Sequence, residues 1–478
     1  MRWYLCCAVV LAGCASGPDY SGPPADPAAA RRESFAQAGG IERGPVQATW
    51  WRAFGDSELD RIIETALAAS SDIEAATARV EAARATVRER RGAAGLTAGV
   101  IAAVSRTRPS LAGFGVELPG VEPREIDLVE ISIDASWEID FAGRTRRSVE
   151  RANAELQAQL AGVDDARVRV ASEAAAAYFS LRAAERAIAL AHEATKIEVQ
   201  LLELVEVRRR LGAASDVDVT RAHALLVSTR SQLEPLLAER VVQAARLAAL
   251  TGADRGSLGL QGGPALLPSA PKLQIDSPGE LLRRRPDVRA AERRLAAATA
   301  GIGVANADLY PRISLLGTVG VQSAGFSNLD DGFTYRFGPS LSWNFLDLDR
   351  VRARMAHADA VRAERLALYK SSVSAALEDA ETSLARFQRA QSEARMRLEA
   401  LDSRRRATEL AQTRQRLGTG SQIQVIEAER ERLAAEREAL NANQQVIAAF
   451  IRVQKAMGLA WQPGQLERQA QAEQAVTR

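Results

Sequence analysis

Few residues in this chain are of a kind that does chemistry. Its histidines, His192, His223 and His357, lie far apart. No nucleophile motif appears, and no glycine-rich phosphate loop follows a strand, so no enzyme is expected. Met355, Met396 and Met457 are too separated to form a soft-metal site, so neither metal nor cofactor is expected. A net charge of +2 gives no push toward nucleic acid.

The cysteines are different. Arg2 and the short apolar run Trp3–Leu11 precede Leu11-Ala12-Gly13-Cys14, the outline of a signal peptide over residues 1–13. Small residues directly before a cysteine resemble the bacterial lipobox, which makes Cys14 the lipidated first residue of the mature chain. The plain alternative is a signal peptide with an incidental cysteine. Cys6 and Cys7 leave with the signal, so no disulfide forms within the mature chain. Ala15 rather than Asp follows, which in such lipoproteins implies the outer membrane. Residues 15–30, rich in Pro, Gly, Ala and Asp, read as a tether.

The elements that carry these residues come twice. Leu211-Gly212-Ala213-Ala214-Ser215 has a twin 206 positions later in Leu417-Gly418-Thr419-Gly420-Ser421. The same offset carries Ser136-Trp137 onto Ser342-Trp343, Arg144 onto Arg350 and Gly252 onto Gly458. A shared offset at separated landmarks marks a tandem duplication. Each copy is expected to hold an amphipathic helix (from Glu58 to about Arg91, capped by Ser57; then about 279–308), a pair of strands, a long helix, a glycine turn and a returning helix. The long runs Gly143–Leu211 and Asp349–Leu417 contain no Pro; each has 69 residues, or ~100 Å as helix. No globular core needs that length. The returning helices are expected over 215–251 and 421–457. The Arg and Glu alternation through 404–406 and 427–432 reads as a solvated face.

The strands carry the sharpest pattern. Phe333, Tyr335, Phe337, Pro339, Leu341, Trp343 and Phe345 alternate with Thr334, Arg336, Gly338, Ser340, Ser342 and Asn344. Val129, Ile131, Ile133, Ala135, Trp137 and Ile139 alternate with Glu130, Ser132, Asp134, Ser136 and Glu138. Period-2 alternation of this length suits a tilted membrane-spanning strand, with Trp137, Trp343 and Phe345 at the level of an aromatic girdle. Partner strands are expected at Leu96–Arg108 and Ile313–Ser323. The alternative, a soluble sandwich, is poor for four strands separated by long helices. Four strands cannot close a membrane barrel, and an open edge in lipid leaves backbone groups unsatisfied. Two copies give eight strands, with an interior filled by side chains. Three give twelve, so a homotrimer is the simplest conducting solution.

Cys14 with Gly17-Pro18-Asp19-Tyr20, then Trp50-Trp51 with Phe54, Asp56 and Leu59, resemble the start of TolC-like outer membrane factors, the lipoprotein subgroup above all. Leu282-Arg283-Arg284-Arg285-Pro286-Asp287-Val288 and Tyr310-Pro311-Arg312-Ile313-Ser314-Leu315 are further matches. The resemblance covers essentially the mature chain. It implies a mainly α fold with β: a trimeric 12-stranded transmembrane β-barrel, four strands per chain, continued by a long α-helical coiled-coil barrel. An equatorial belt would be built by residues 36–55, 253–278 and 459–478. The chain then divides into signal 1–13, tether and equatorial segment 14–56, first repeat 57–252, linker 253–278, second repeat 279–458 and tail 459–478.

The resemblance further implies the outer membrane channel of a tripartite efflux pump, docked on a periplasmic adaptor and an inner-membrane RND-type transporter. In the family the turns meet the adaptor, which points to Gly212, Ala213, Gly418 and Thr419. Acidic rings just beyond them constrict the pore. The matching positions are Gln424 and Glu427, and in the first copy Asp218 and Arg221, with Asp216 nearby. Gln424 departs from the family's acid. Read from the residues alone, the glycines permit a left-handed turn and the acids suit a helix start. Alternatives are a type I protein-secretion duct and a non-conducting envelope tether, the latter having no use for duplicated strand pairs.

Overall fold

The computed structural model describes residues 16–23, 34–36, 39, 41–44, 46–108, 125–253, 267–325, 329 and 331–460. In chain order these form β1 (Glu42–Arg43), α1 (Ser57–Ala69), α2 (Ser71–Gly92), β2 (Thr97–Thr107), β3 (Ile126–Ile139), α3 (Arg144–Arg210), α4 (Asp216–Ser231) and α5 (Leu233–Thr251). The second half gives β4 (Gln274–Ile275), α6 (Pro278–Arg284), α7 (Pro286–Asn306), β5 (Arg312–Ala324), β6 (Phe333–Ser342), α8 (Leu348–Arg416) and α9 (Gln422–Ala456). The duplication is plain: helix pair, strand pair, long helix and returning helix occur twice. Cys14 and residues 461–478 lie outside the described residues.

The helix starts depart from the sequence expectation. Asp56, not Ser57, caps α1: its Oδ1 accepts from the amides of Glu58 and Leu59 at 3.0 and 3.2 Å, and Ser57 is already helical. The other oxygen of Asp56 accepts from the Tyr178 hydroxyl at 2.6 Å. The single helices expected before each strand pair are each broken once. Arg285 is extended (ψ 121°) because the ring of Pro286 disfavours helix in the preceding residue. Ser70 is extended at the matching place (ψ 119°), and its carbonyl restarts the helix by accepting from Ile73 and Glu74.

The first returning helix is also interrupted. Pro235 has no N–H for the Ser231 carbonyl, so α4 ends at Ser231 and α5 restarts at Leu233. Gln232 keeps helical angles, which makes this a kink. In the second copy Asn441 stands at the matching position and α9 runs unbroken for 35 residues.

The four long strands form one antiparallel sheet in the order β2-β3-β5-β6. Leu128 through Ile139 of the first copy pair with Ala324 through Ile313 of the second, so the two copies are stitched along β3 and β5. β6 ends at Ser342, leaving Trp343 and Phe345 beyond the strand. Both indoles are anchored alike: Trp137 donates to the Ala94 carbonyl and Trp343 to the Leu309 carbonyl, each at 3.2 Å. One sheet face is apolar and bare; Tyr335, Phe337 and Leu341 are 67, 68 and 65 % exposed. The other face carries polar rows such as Asp134, Thr318 and Arg336 side by side, with the Thr318 hydroxyl donating to Asp134 at 2.6 Å. Among the described residues no helix is long and apolar enough to cross a membrane.

The chain divides into two compact units. One holds Arg79–Gln159 and Ala291–Lys370 with the described residues through Pro23, and contains this sheet. The other holds Leu160–Ala290, Ser371 onward and the segment through Ala78. In it, Trp50-Trp51 and Phe54 form an aromatic core with Phe179, Phe387 and Phe450; Phe54 lies 4.7 Å from Phe179 and 5.4 Å from Phe450, ring to ring. The short β1 pairs in parallel with β4 there, joining the N-terminal segment to the inter-repeat linker.

Candidate functional site

The two glycine turns are built identically. After α3, Gly212 takes φ 73°; its amide donates to Arg209, and that of Ala213 to Arg208. After α8, Gly418 takes φ 71°; its amide donates to Gln415, and that of Thr419 to Arg414. Only glycine adopts this left-handed angle without strain, and the paired bonds satisfy carbonyls the helix leaves open.

The next residues close the opposite ends. Ser215 and Asp218 form a capping box: the Asp218 carboxylate accepts from the Ser215 amide at 2.9 Å and its hydroxyl at 2.8 Å. Ser421 and Gln424 form the same box, with Gln424 Oε1 accepting from the Ser421 amide at 3.2 Å. Gln424 therefore occupies a place where either an acid or an amide satisfies the same amide. The Ser215 backbone and side-chain hydrogen bonds hold Asp218 below the usual carboxylate range, with Arg221 and Arg208 adding to the effect. The pattern Ser-x-x-Asp/Gln after each glycine marks this box in the sequence.

The other candidates have separate surroundings. Asp216 pairs with Arg209 at 2.5 Å, both exposed. Arg221 and Glu427 are exposed. Arg416 donates to the Thr413 hydroxyl at 3.1 Å. Among the described residues neither Arg221 nor Arg416 forms an ion pair with Glu427. The structure does bring the first turns of α4 and α9 to one place: Ala222 and Ile426 pack with Leu201 and Val205 of α3 in a single buried cluster. The charged run is also more than a solvated face. Arg430 bonds Glu198 at 2.7 Å, Arg186 bonds Glu436 at 2.6 Å, and Arg397 bonds Glu438 at 2.7 Å, each between helices.

The segment following the lipobox is pinned in the sheet-bearing unit. The Ser16 amide and hydroxyl donate to the Ala142 carbonyl at 3.1 and 2.8 Å, and the hydroxyl also reaches Gly303. Buried Arg147 donates to the carbonyls of Ser16 and Gly17 and to Asp19. The Tyr20 hydroxyl, its pKa raised by burial and by Glu292, donates to Glu292 at 3.3 Å. Among the described residues no cluster of three or more His, Cys, Asp or Glu is placed to hold a metal.

A bare apolar sheet face, stitched copies and long charge-laced hairpins define a membrane channel subunit of the outer membrane type. The chain belongs to the outer membrane efflux protein family, which matches residues 62–253 and 277–459, one segment in each copy. It is 29% identical to the outer membrane protein OprJ of Pseudomonas aeruginosa over 96% of this chain and 95% of that one. It is also 29% identical to nodulation protein T of Rhizobium leguminosarum bv. trifolii, over 95% and 96%. Among solved structures, the outer-membrane channel OprN superposes with a TM-score of 0.82 at 32% identity, covering 94% of this chain and 100% of that one. The protein is an outer membrane efflux channel.

Proposed function

We propose that three copies assemble into the passive exit duct of a tripartite efflux system for drugs or other small molecules. The observation that carries this reading is the four-stranded sheet with an apolar outer face and two unpaired edges, β2 and β6. In lipid such edges must pair, and joining β6 of one copy to β2 of the next closes twelve strands. Cys14 carries the lipid; the strap from Ser16 to Tyr20 holds the residues after it against Ala142 and Gly303. The turns at Gly212-Ala213 and Gly418-Thr419 are the contacts for a periplasmic adaptor, which couples the duct to an inner-membrane RND-type transporter. Their paired internal hydrogen bonds support this role, since a preformed turn docks at a lower ordering cost.

Asp216, Asp218, Arg221, Gln424 and Glu427 line the aperture beyond the turns. Glu427 is its free acid, because Asp218 is engaged in its capping box and Asp216 with Arg209. An acidic ring favours cations. The test is single-channel recording in planar bilayers. The wild type should conduct, and Glu427→Ala should lower cation selectivity. A non-conducting protein, or unchanged selectivity in the variant, contradicts the assignment.

A further inference from the structure

A cavity of about 420 Å³ lies over α3 of the first copy, walled by Ala187, Ala191 and Ala194, by Leu236 just past the kink, and by Leu433 and Ala434 of α9. Its size and mostly apolar lining suit a drug-sized molecule. Its polar side chains are Glu198, Thr229, Gln232, Arg430 and Arg437. Glu198, only 5 % exposed, is one of them. Its Oε1 accepts from Arg430 at 2.7 Å. Its Oε2 is buried and has no hydrogen-bond partner among the described residues. A buried carboxylate oxygen without a donor calls for an explanation, and in a residue that lines a cavity a ligand donor, reached by a turn of the carboxylate, supplies one.

The charges narrow the class of ligand. Arg430 neutralises Glu198, and Arg437 donates to Gln232 Oε1 at 2.5 Å. Arg437 leaves the lining with one positive charge, which disfavours a ligand cation, and an acceptor-only anion would leave Glu198 Oε2 still without its donor. An uncharged molecule with one N–H or O–H meets neither objection. The second copy does not repeat the α3 side of this lining. At the positions 206 further on, where α3 has Ala187, Ala191 and Glu198, α8 has Glu393, Arg397 and Arg404, and the kinking proline is Asn441.

We infer that this groove binds an uncharged amphiphile, its apolar body against the alanines of α3 and its single donor bonded to Glu198. The inference is independent of which molecules the duct exports. The test uses the full, assembled protein in lipid nanodiscs with N-phenyl-1-naphthylamine, a neutral aromatic secondary amine, and its photoactivatable azide. Saturable labelling of peptides within 187–198 or 430–437, competed by the unmodified amine, is the expected result. The N-methylated amine, which has no N–H, should compete about tenfold more weakly, as expected for one lost hydrogen bond in a buried site. Ala191→Trp should fill the groove and abolish labelling. Labelling confined to the strands, or equal competition by the N-methylated amine, overturns the proposal. So does undiminished labelling of Ala191→Trp.

Discussion

Arg147 and Asp19 are joined at 2.6 Å, a buried guanidinium near the start of α3 holding an exposed carboxylate five residues past the lipobox cysteine. The same arginine donates to the carbonyls of Ser16 and Gly17, so one side chain holds three residues of the strap. The approach is close enough to require glycine on both sides. A Cβ on Gly303 would lie 2.6 Å from the Ser16 carbonyl oxygen, and one on Gly17, at φ +85°, 2.6 Å from the Gly303 Cα. Gly303→Ala should therefore detach the strap and destabilise the protein by about 1–3 kcal/mol. Thermal melting, with limited proteolysis around residues 15–20, reads both effects. A variant as stable and as protected as the wild type would mean the strap is incidental.

The two capping boxes differ at one position, a carboxylate in Asp218 and an uncharged amide in Gln424, and that makes them differ with pH. Asp218 has a folded pKa below its unfolded value, so its contribution is present above about pH 4, the ordinary Asp value. It is lost as pH falls through the folded pKa. Gln424 does not titrate. Hydrogen-exchange protection, taken relative to the intrinsic rate at each pH, should fall on acidification more at residues 212–222 than at 418–428. Asp218→Asn should remove the difference, and an equal fall at both turns would refute it. Ser421→Ala should cost about 1 kcal/mol at any pH.

The facing of the sheet is testable by charge. Leu341 lies on the apolar face and Ser340 on the other. Leu341→Arg should impair assembly by about 2–4 kcal/mol if near the bilayer midplane, while Ser340→Arg should be tolerated. Equal yields of assembled protein from both would reverse or void the assignment.

Much of this was legible from period and offset. Alternation of period 2 at 333–341 located β6 and its faces because one face is bare. The shared offset of Gly212 and Gly418 located the turns because a left-handed residue after a long helix needs glycine. What was missed is local hydrogen bonding that competes with helix. Asp56 took the cap from Ser57 because its two oxygens serve two amides and still meet Tyr178. Pro286 and Pro235 interrupted helices at Arg285 and Gln232, and Ser70 a third, although the apolar periodicity ran on across all three. The departure of Gln424 from an acid was legible as a difference; its reason, a bond to the Ser421 amide, required the turn geometry.

The anchor has its own test. Mass spectrometry of the mature N-terminus should find acylated Cys14 as residue one, and Cys14→Ser should leave the signal unprocessed and unacylated. An unmodified Cys14, or a different first residue, would leave the strap without a lipid to position.

The central claim is that β6 of one copy pairs with β2 of the next and that three copies close the ring. Disulfide trapping tests it most directly. One cysteine is placed in β2 as Val100→Cys and another in β6 as Tyr335→Cys or Phe337→Cys, in membranes and with Cys14 kept, since its acylated sulfur offers no thiol and Cys6 and Cys7 leave with the signal. The account predicts covalent dimers and trimers on oxidation and nothing larger. Monomers alone at every pairing, or a ladder continuing past three, would contradict it.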